Sequence, residues 1–402
     1  MNLLGQSTLA LVPNGVTVLS RKPRTLSVNF KSSLFNSIFL IDIYRYLNAY
    51  NTCALYIFMK KAQRVLNRLI EDLKNKEFTY EAKEEKEINW SQYNLSKIHE
   101  IDFFLTFVRE AVDGAQVHFP GQDGRGRPLS SAFDLAKIIL MKDYFQAGER
   151  QAEGLSMLFK EKLALKNFYS ASTIGRAYSR EDVQALLGVV FELTSEPIKE
   201  KETSFSGDGT GLPLSIKQNY ANDRDDQAKH AGYDKAMIVI SNNFHIATGF
   251  VHAEGTANDC PLFAPAFEQT TRKFSQINDV ELDAGFLSRE NCQAIANAGA
   301  TPYIYPKKGI TLNQEGSPAW KKMLLSLIED PQAWLRGYHP RSQSECFFSS
   351  HKRRFTKPLL RKLTPRRGVE AFSRLTITNI AMLITAYCEL RVEVRQFDHS
   401  YF

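Results

Sequence analysis

Paired metal-binding cysteines are missing from this chain. Its five cysteines, Cys53, Cys260, Cys292, Cys346 and Cys388, are scattered and odd in number. None has metal-ligand spacing, so they read as reduced thiols of an intracellular protein. Eight histidines are spread along the sequence without forming a zinc set. Internal repeats and long low-complexity tracts are also absent, which excludes a repeat architecture. A long unbroken apolar run is lacking too. Residues 34–59 come nearest, but Asp42, Arg45 and three Asn interrupt them. A spanning helix needs about 20 mostly apolar residues, and a signal peptide would lie nearer the start with a clean apolar core.

Acid is scarce in one place above all. Between Asp330 and Glu370 the single carboxylate is Glu345, among ten Lys and Arg. Elsewhere the composition is ordinary for a globular protein, with 43% hydrophobic and 24% charged residues among 402. That length suits two or three domains. The net charge of +7 is modest, but much of it lies in this basic stretch and its sequel. Such a concentration points to a polyanion partner.

The chain divides by texture. Met59 followed by "KKAQRVLNRLIEDL" reads like a natural beginning. Residues 1–58 are therefore read as a leader of uncertain standing, which N-terminal sequencing of the native protein would test. Residues 59–100 are charge-rich and mostly helical in pattern, a charged helical linker, in which the run "KNKEFTYEAKEEKEINW" reads as a solvated linker or exposed helix. Residues 101–200 read as short helices. Phe133, Ala136, Ile139 and Leu140 mark one buried face, and Ser179 with Asp182 resembles a capping box. Short helices with tight turns suit a helix-turn-helix DNA-binding domain or a plain helical bundle.

From residue 201 the pattern becomes β-β-β-α-β-α-β, followed by long helices from residue 317. That order predicts an α/β domain over 201–402, a mixed sheet with helices on its faces. Ser288 reads as a helix N-cap and Gly299 as a stop.

Two acids stand out here. Asp208 follows the strand-like "TSFS" between Gly207 and Gly209, and Asp283 ends "DVEL". Ligands gather at the carboxyl ends of strands in open α/β sheets, and small neighbours leave room for a bulky substrate. An Asp in a glycine turn is more often simply a turn residue. The third acid is Glu345. On a helix starting after Pro340, at about 100° per residue, Arg341, Glu345 and Lys352 fall within roughly 40° of one another. Such a face can equally be a solvated one with a weak Arg–Glu pair. Taken together, Asp208, Asp283 and Glu345 make an oxygen set for Mg²⁺ or Mn²⁺, and two such ions support phosphodiester chemistry.

Several features are set aside as decoys. The acids of "ANDRDDQAKH", residues 221–230, lack the spacing of a calcium loop. Trp320 and Trp334 could stack on a base, but core packing is favoured. His339 and His351 read as phosphate-side polar groups rather than ligands.

"GYHPRSQSECFFSSHK" fits Tyr-x2-Arg-x3-Glu-x6-Lys at every position: Tyr338, Arg341, Glu345 and Lys352. This signature resembles that of bacterial and archaeal insertion-sequence transposases of the DDE type. "SGDGTGL" and "ELDAGF" resemble the first and second aspartate motifs, and the likeness covers about residues 100–395. It implies an RNase H-like catalytic domain preceded by an all-α helix-turn-helix-like domain. It also implies that Asp208, Asp283 and Glu345 bind metal, two ions in all, and perform catalysis. Tyr338, Arg341 and Lys352 would contact DNA, with Arg353 and Arg354 as further basic contacts. The implied reaction is strand cleavage by water at the ends of a mobile element, followed by joining of the freed 3′-hydroxyl to target DNA. Implied partners are terminal inverted repeats, target DNA and a second copy of the chain, at a cytoplasmic, DNA-associated location. Only 61 residues separate Asp283 from Glu345. The large β-rich insertion of some relatives does not fit there, which puts hairpin formation in doubt. The alternatives are a metal-dependent nuclease that cuts without joining and a domesticated DNA-binding protein.

Overall fold

A computed structural model describes residues 52–75, 89–115, 129–214 and 232–397. Most of residues 1–58, part of the 59–100 stretch and the acidic 221–230 segment lie outside these described residues. Among the described residues seven helices come first: α1 Thr52–Lys74, α2 Trp90–Ile98, α3 Glu100–Asp113, α4 Ala132–Tyr144, α5 Glu149–Leu158, α6 Ala171–Ala177 and α7 Glu181–Ser195. Then come β1 Ser204–Pro213, β2 Tyr233–Ser241, β3 Ala247–Glu254, α8 Phe263–Thr271, β4 Asp279–Leu282, α9 Arg289–Asn297 and β5 Thr301–Ile304. The chain closes with α10 Pro318–Glu329, α11 Pro331–Tyr338, a 3-10 turn His339–Arg341, α12 Ser342–Arg354 and α13 Thr364–Leu390.

The expected β-β-β-α-β-α-β order is what folds. The strands form one mixed sheet in the order β3-β2-β1-β4-β5. β1–β2 and β2–β3 pair antiparallel, whereas β1–β4 and β4–β5 pair parallel. Hairpin connections make the first three strands antiparallel, and helical crossovers make the last two parallel. The arrangement is compatible with an RNase H-like domain. At the crossover after β4, Ser288 accepts from the Asn291 N–H at 3.0 Å, and Gly299 ends α9 with φ +82°. Both are the cap residues that the sequence signals.

α1 runs without a break across the 58/59 boundary. Its buried stripe, Phe58, Ala62, Leu66, Ile70 and Leu73, recurs at helical spacing and faces α10. Gln63 fastens it further, donating to the Ile310 carbonyl and accepting from the Leu312 N–H, each at 2.8 Å.

α4 departs from expectation. Burial runs almost all the way round it, and Phe133 is half-buried. Lys137 and Lys142 are buried too, which their partners make tolerable. Lys137 pairs with Asp113 at 2.6 Å and Lys142 with Asp143 at 3.0 Å. The capping box at Ser179–Asp182 does not form either. Arg180 takes the N-cap position and its guanidinium pairs with Asp182, while Ser179 accepts from Arg366 at 2.6 Å. A nearby arginine competes better for the Asp182 carboxylate than a neutral cap does.

α13 explains how the two regions cohere. It follows the sheet in sequence, yet it packs on α2, α3, α4 and α7 as well as on β3. Its buried residues run from Arg367 to Cys388, the pattern of a helix enclosed on most sides. Trp320 and Trp334 are buried, as core packing requires. Among the described residues no helix is long and apolar enough to cross a membrane.

Candidate active site

The two aspartates sit side by side because of strand register. The β1–β4 ladder pairs Ser204 with Asp279, Phe205 with Val280, Ser206 with Glu281 and Gly207 with Leu282. The next residues on the two strands are Asp208 and Asp283. In a strand, alternate side chains share a face. Ser206 and Asp208 therefore project to one side of β1, and Glu281 and Asp283 to the same side of β4. Phe205 and Gly207 look the other way, towards Phe274 and Phe263.

This corrects the glycine-turn reading of Asp208. β1 continues to Pro213, and Asp208 lies mid-strand opposite Ile238. The flanking glycines do not clear space for a ligand on the aspartate's side. A Cβ on Gly207 would meet Leu282 at 2.6 Å and Met237 at 3.0 Å, so this glycine permits close core packing. The site nonetheless lies at a strand end, because the parallel part of the ladder stops at Leu282.

Glu345 arrives from above. α11, the 3-10 turn and α12 cross the sheet over β1, β4 and β5. α12 begins at Ser342, one residue later than expected, after a 3-10 turn carrying Pro340 in its first turn. Phe347, Phe348 and His351 bury one side of α12, leaving Glu345 and Lys352 exposed on the other.

The three acids meet on one guanidinium. Arg341 Nη1 lies 2.5 Å from Glu345 Oε1. Its Nη2 lies 3.8 Å from Asp208 Oδ2 and 4.0 Å from Asp283 Oδ2. Side-chain exposure rises from 20% at Asp208 through 49% at Asp283 to 62% at Glu345, so the cluster opens from the sheet towards solvent. Burial pushes the Asp208 carboxyl above the usual range, and Asp283 and Glu345 push the same way against the Gly209 N–H and Arg341. One cation faces three carboxylates, which leaves an excess of two negative charges. Hard oxygen donors with surplus negative charge suit a magnesium-like ion in kind. Among the described residues no three His, Cys, Asp or Glu are drawn together closely enough to ligate an ion as they stand. The guanidinium occupies the middle.

The other expected site residues divide. Tyr338 is half-buried in an aromatic stack, 5.5 Å from Trp334 and 5.3 Å from Tyr305 between ring centroids. Burial pushes its hydroxyl pKa up, and charges on Arg341, Asp283 and Asp208 also act on it. It therefore forms a wall of the site. Lys352 and Arg353 are exposed. Arg354 is turned inward, paired with Glu100 at 2.6 and 3.1 Å, so its charge ties α12 to the helical region. His351 is not a phosphate-side group. It is buried against Phe347 and Phe355, and its Nδ1 meets Thr378 Oγ1 at 2.8 Å. The Thr378 hydroxyl donates to the Arg374 carbonyl at 3.0 Å, so the imidazole Nδ1–H is the donor between the two. Burial, then the charges of Arg374, Arg354 and Lys352, lower its pKa to about 3.

Sequence reasoning missed a polar layer beneath the aspartates. Ser206 and Glu281 are fully buried, and Asn242 nearly so. Burial above all pushes the Glu281 carboxyl well above the usual range, with Asp279 adding to it. The available signal was alternation: Ser206 and Glu281 each stand two residues before an aspartate.

Residues 202–382 match the family model described as transposase DDE domain. The chain is also similar to a probable transposase for insertion sequence element ISA1214 of Archaeoglobus fulgidus. The two are 29% identical over 272 residues, covering 66% of this chain and 79% of the relative. The chain is thus similar to a transposase DDE domain over residues 202–382 and to an insertion-sequence transposase over about two thirds of its length.

Proposed function

We propose that the chain cuts and joins DNA strands at the ends of an insertion sequence, using Asp208, Asp283 and Glu345 to hold divalent metal. The observation that carries this reading is the convergence of all three carboxylates on the Arg341 guanidinium, within 2.5–4.0 Å. Two carboxylates are fixed on neighbouring strands, and the third comes from an exposed helix. Bound Mg²⁺ or Mn²⁺ would supply activation of an attacking oxygen and stabilisation of a leaving one.

The remaining chemistry belongs to the protein. Arg341 keeps positive charge among the acids, and its withdrawal towards a DNA phosphate frees their oxygens. Lys352 and Arg353 present charge on the exposed side of α12, where a phosphate backbone could lie. Tyr338 braces the site through Trp334 and Tyr305. Arg354 is left out of the DNA-contacting set because Glu100 engages it. The helical region, residues 101–200, is the proposed DNA-binding domain, with two copies of the chain acting on paired ends.

The test is incubation with Mg²⁺ and DNA carrying the element's ends, followed by detection of nicks and joined strands. Cleavage and joining by the wild type, both lost in Asp208→Asn and Glu345→Gln, are the expected results. Nicking without joining would replace this reading with that of a nuclease. Unaltered cleavage by both variants would remove the carboxylates from catalysis.

A further inference from the structure

One layer below the aspartates, a row of polar side chains spans two strands and the residue just past a third. Asn242 directly follows β2, Ser206 lies on β1 and Glu281 on β4. Ser206 and Glu281 are register partners. Ser206 Oγ lies 2.6 Å from Asn242 Oδ1 and 3.1 Å from Glu281 Oε2. Asn242 Nδ2 donates to Glu281 Oε2 and to Ser204 Oγ, each at 2.7 Å. Ser206 Oγ also lies 3.3 Å from the carbonyl of Pro340, the residue before Arg341.

This row is an expensive way to fill the interior. Buried polar groups cost free energy unless they are paired, and an apolar layer of the same volume is often as stable or more so. Glu281 is fully buried, with the Asp279 carboxyl against it. Neighbouring positions show the cheaper solution, since Val280 and Leu282 on the same strand are apolar and fully buried. What the polar row adds is direction, because hydrogen bonds fix relative positions where apolar contacts tolerate sliding.

Its members lie on both strands that carry an aspartate of the site and reach the turn that leads into the helix carrying Glu345. Ser206 precedes Asp208 by two residues on β1. Glu281 precedes Asp283 by two on β4. Pro340 belongs to the 3-10 turn that leads into α12 and Glu345. We infer that Ser206, Asn242 and Glu281 are positioning residues that set the mutual placement of Asp208, Asp283 and the Arg341–Glu345 segment, and so determine how tightly the site takes a divalent cation. This rests on the metal-binding reading of the three acids. None of the three positioning residues needs to touch substrate or ion.

The test measures Mn²⁺ binding to the full chain without DNA, by electron paramagnetic resonance of the free ion, alongside thermal unfolding. Glu281→Leu removes the hub at similar volume, and Ser206→Ala removes one hydroxyl. Partners behind metal ligands typically change affinity by about 10–100-fold. The expected result is a loss of about 10-fold or more in Glu281→Leu and a smaller loss in Ser206→Ala. Glu281→Gln, which keeps an acceptor for Asn242 and adds a donor, should recover most of the affinity. Ser206→Ala carries the test alone if Glu281→Leu does not fold. Wild-type Mn²⁺ affinity in Ser206→Ala and in a folded Glu281→Leu would overturn the inference, as would a Gln variant as impaired as the Leu one. Asp208→Asn separates the two levels. If it binds Mn²⁺ like the wild type, the metal-binding reading itself fails. If it loses binding while the Glu281 and Ser206 variants do not, only the positioning role fails.

Discussion

Two polar clusters in this molecule use the same residue types to opposite ends. Around Arg341, one base faces Asp208, Asp283 and Glu345, and the group opens to solvent. The other cluster lies between the helical region and the start of α13. There Glu370 accepts from the N–H groups of Leu360 and Arg361, each at 2.9 Å, and from Arg374 at 2.7 Å. Arg361 pairs with Glu149 and lies 4.2 Å over the Tyr178 ring, whose hydroxyl donates to Asp143 at 2.6 Å beside Lys142. Three acids, Asp143, Glu149 and Glu370, meet three bases, Lys142, Arg361 and Arg374. Burial demands that balance, because an uncompensated charge away from water is very costly. Imbalance is affordable only where solvent, a metal ion or a ligand can complete it. The open cluster is therefore the one left unbalanced beside solvent, and the balanced one is largely enclosed.

Breaking each cluster should give opposite phenotypes. Asp208→Asn or Glu345→Gln should lower strand cleavage by more than about 100-fold, beyond the usual loss for a residue behind the ligands, with the thermal midpoint nearly unchanged. Parallel cleavage assays and melting curves check this. Glu370→Ala should do the reverse. Removing one partner of a buried pair costs roughly 3–5 kcal/mol, measurable as a lower denaturant midpoint.

His351 sharpens the contrast through pH. Its folded-state pKa is lowered to about 3 from an ordinary 6.5. Below about 6.5 the unfolded chain takes up a proton that the folded chain refuses. Stability should fall as pH drops through that window, by up to about 1.4 kcal/mol per unit from this group. His351→Gln should flatten that part of the stability profile, as followed by denaturant unfolding at several pH values.

Smaller effects probe the exposed bases. Lys352→Ala and Arg353→Ala should each weaken DNA binding and reduce the salt-dependence slope by about 1 per lost phosphate contact, while Arg354→Ala should leave that slope unchanged. The smallest expected effect is on stability in Glu345→Ala. The 62% exposed carboxylate pairs with Arg341 for only about 0–1 kcal/mol, so unfolding should hardly shift.

The legible parts of the sequence were those governed by local pattern. Alternation and turn residues marked the strands in their correct order, and Ser288 and Gly299 bounded α9 as expected. The spacing of Arg341, Glu345 and Lys352 put them on one helix face; Arg341 ends the turn before α12, and it does meet Glu345. What escaped depended on distant partners. Arg353 and Arg354 look alike in sequence, but Glu100, 254 positions upstream of Arg354, turns only the latter inward. Asp208 looked like a turn residue because a glycine-rich strand is recognisable only once β2 pairs with it. Ser206 and Glu281 carried no motif, and only the β1–β4 register makes them neighbours.

On the proposed reading, Asp208, Asp283 and Glu345 form one divalent-cation site spanned by Arg341. Anomalous diffraction from crystals of the full chain soaked in Mn²⁺ tests it most directly. The expected result is a manganese peak among these three carboxylates, with the Arg341 guanidinium displaced from between them. A guanidinium still seated there, with manganese absent or bound elsewhere, would contradict it.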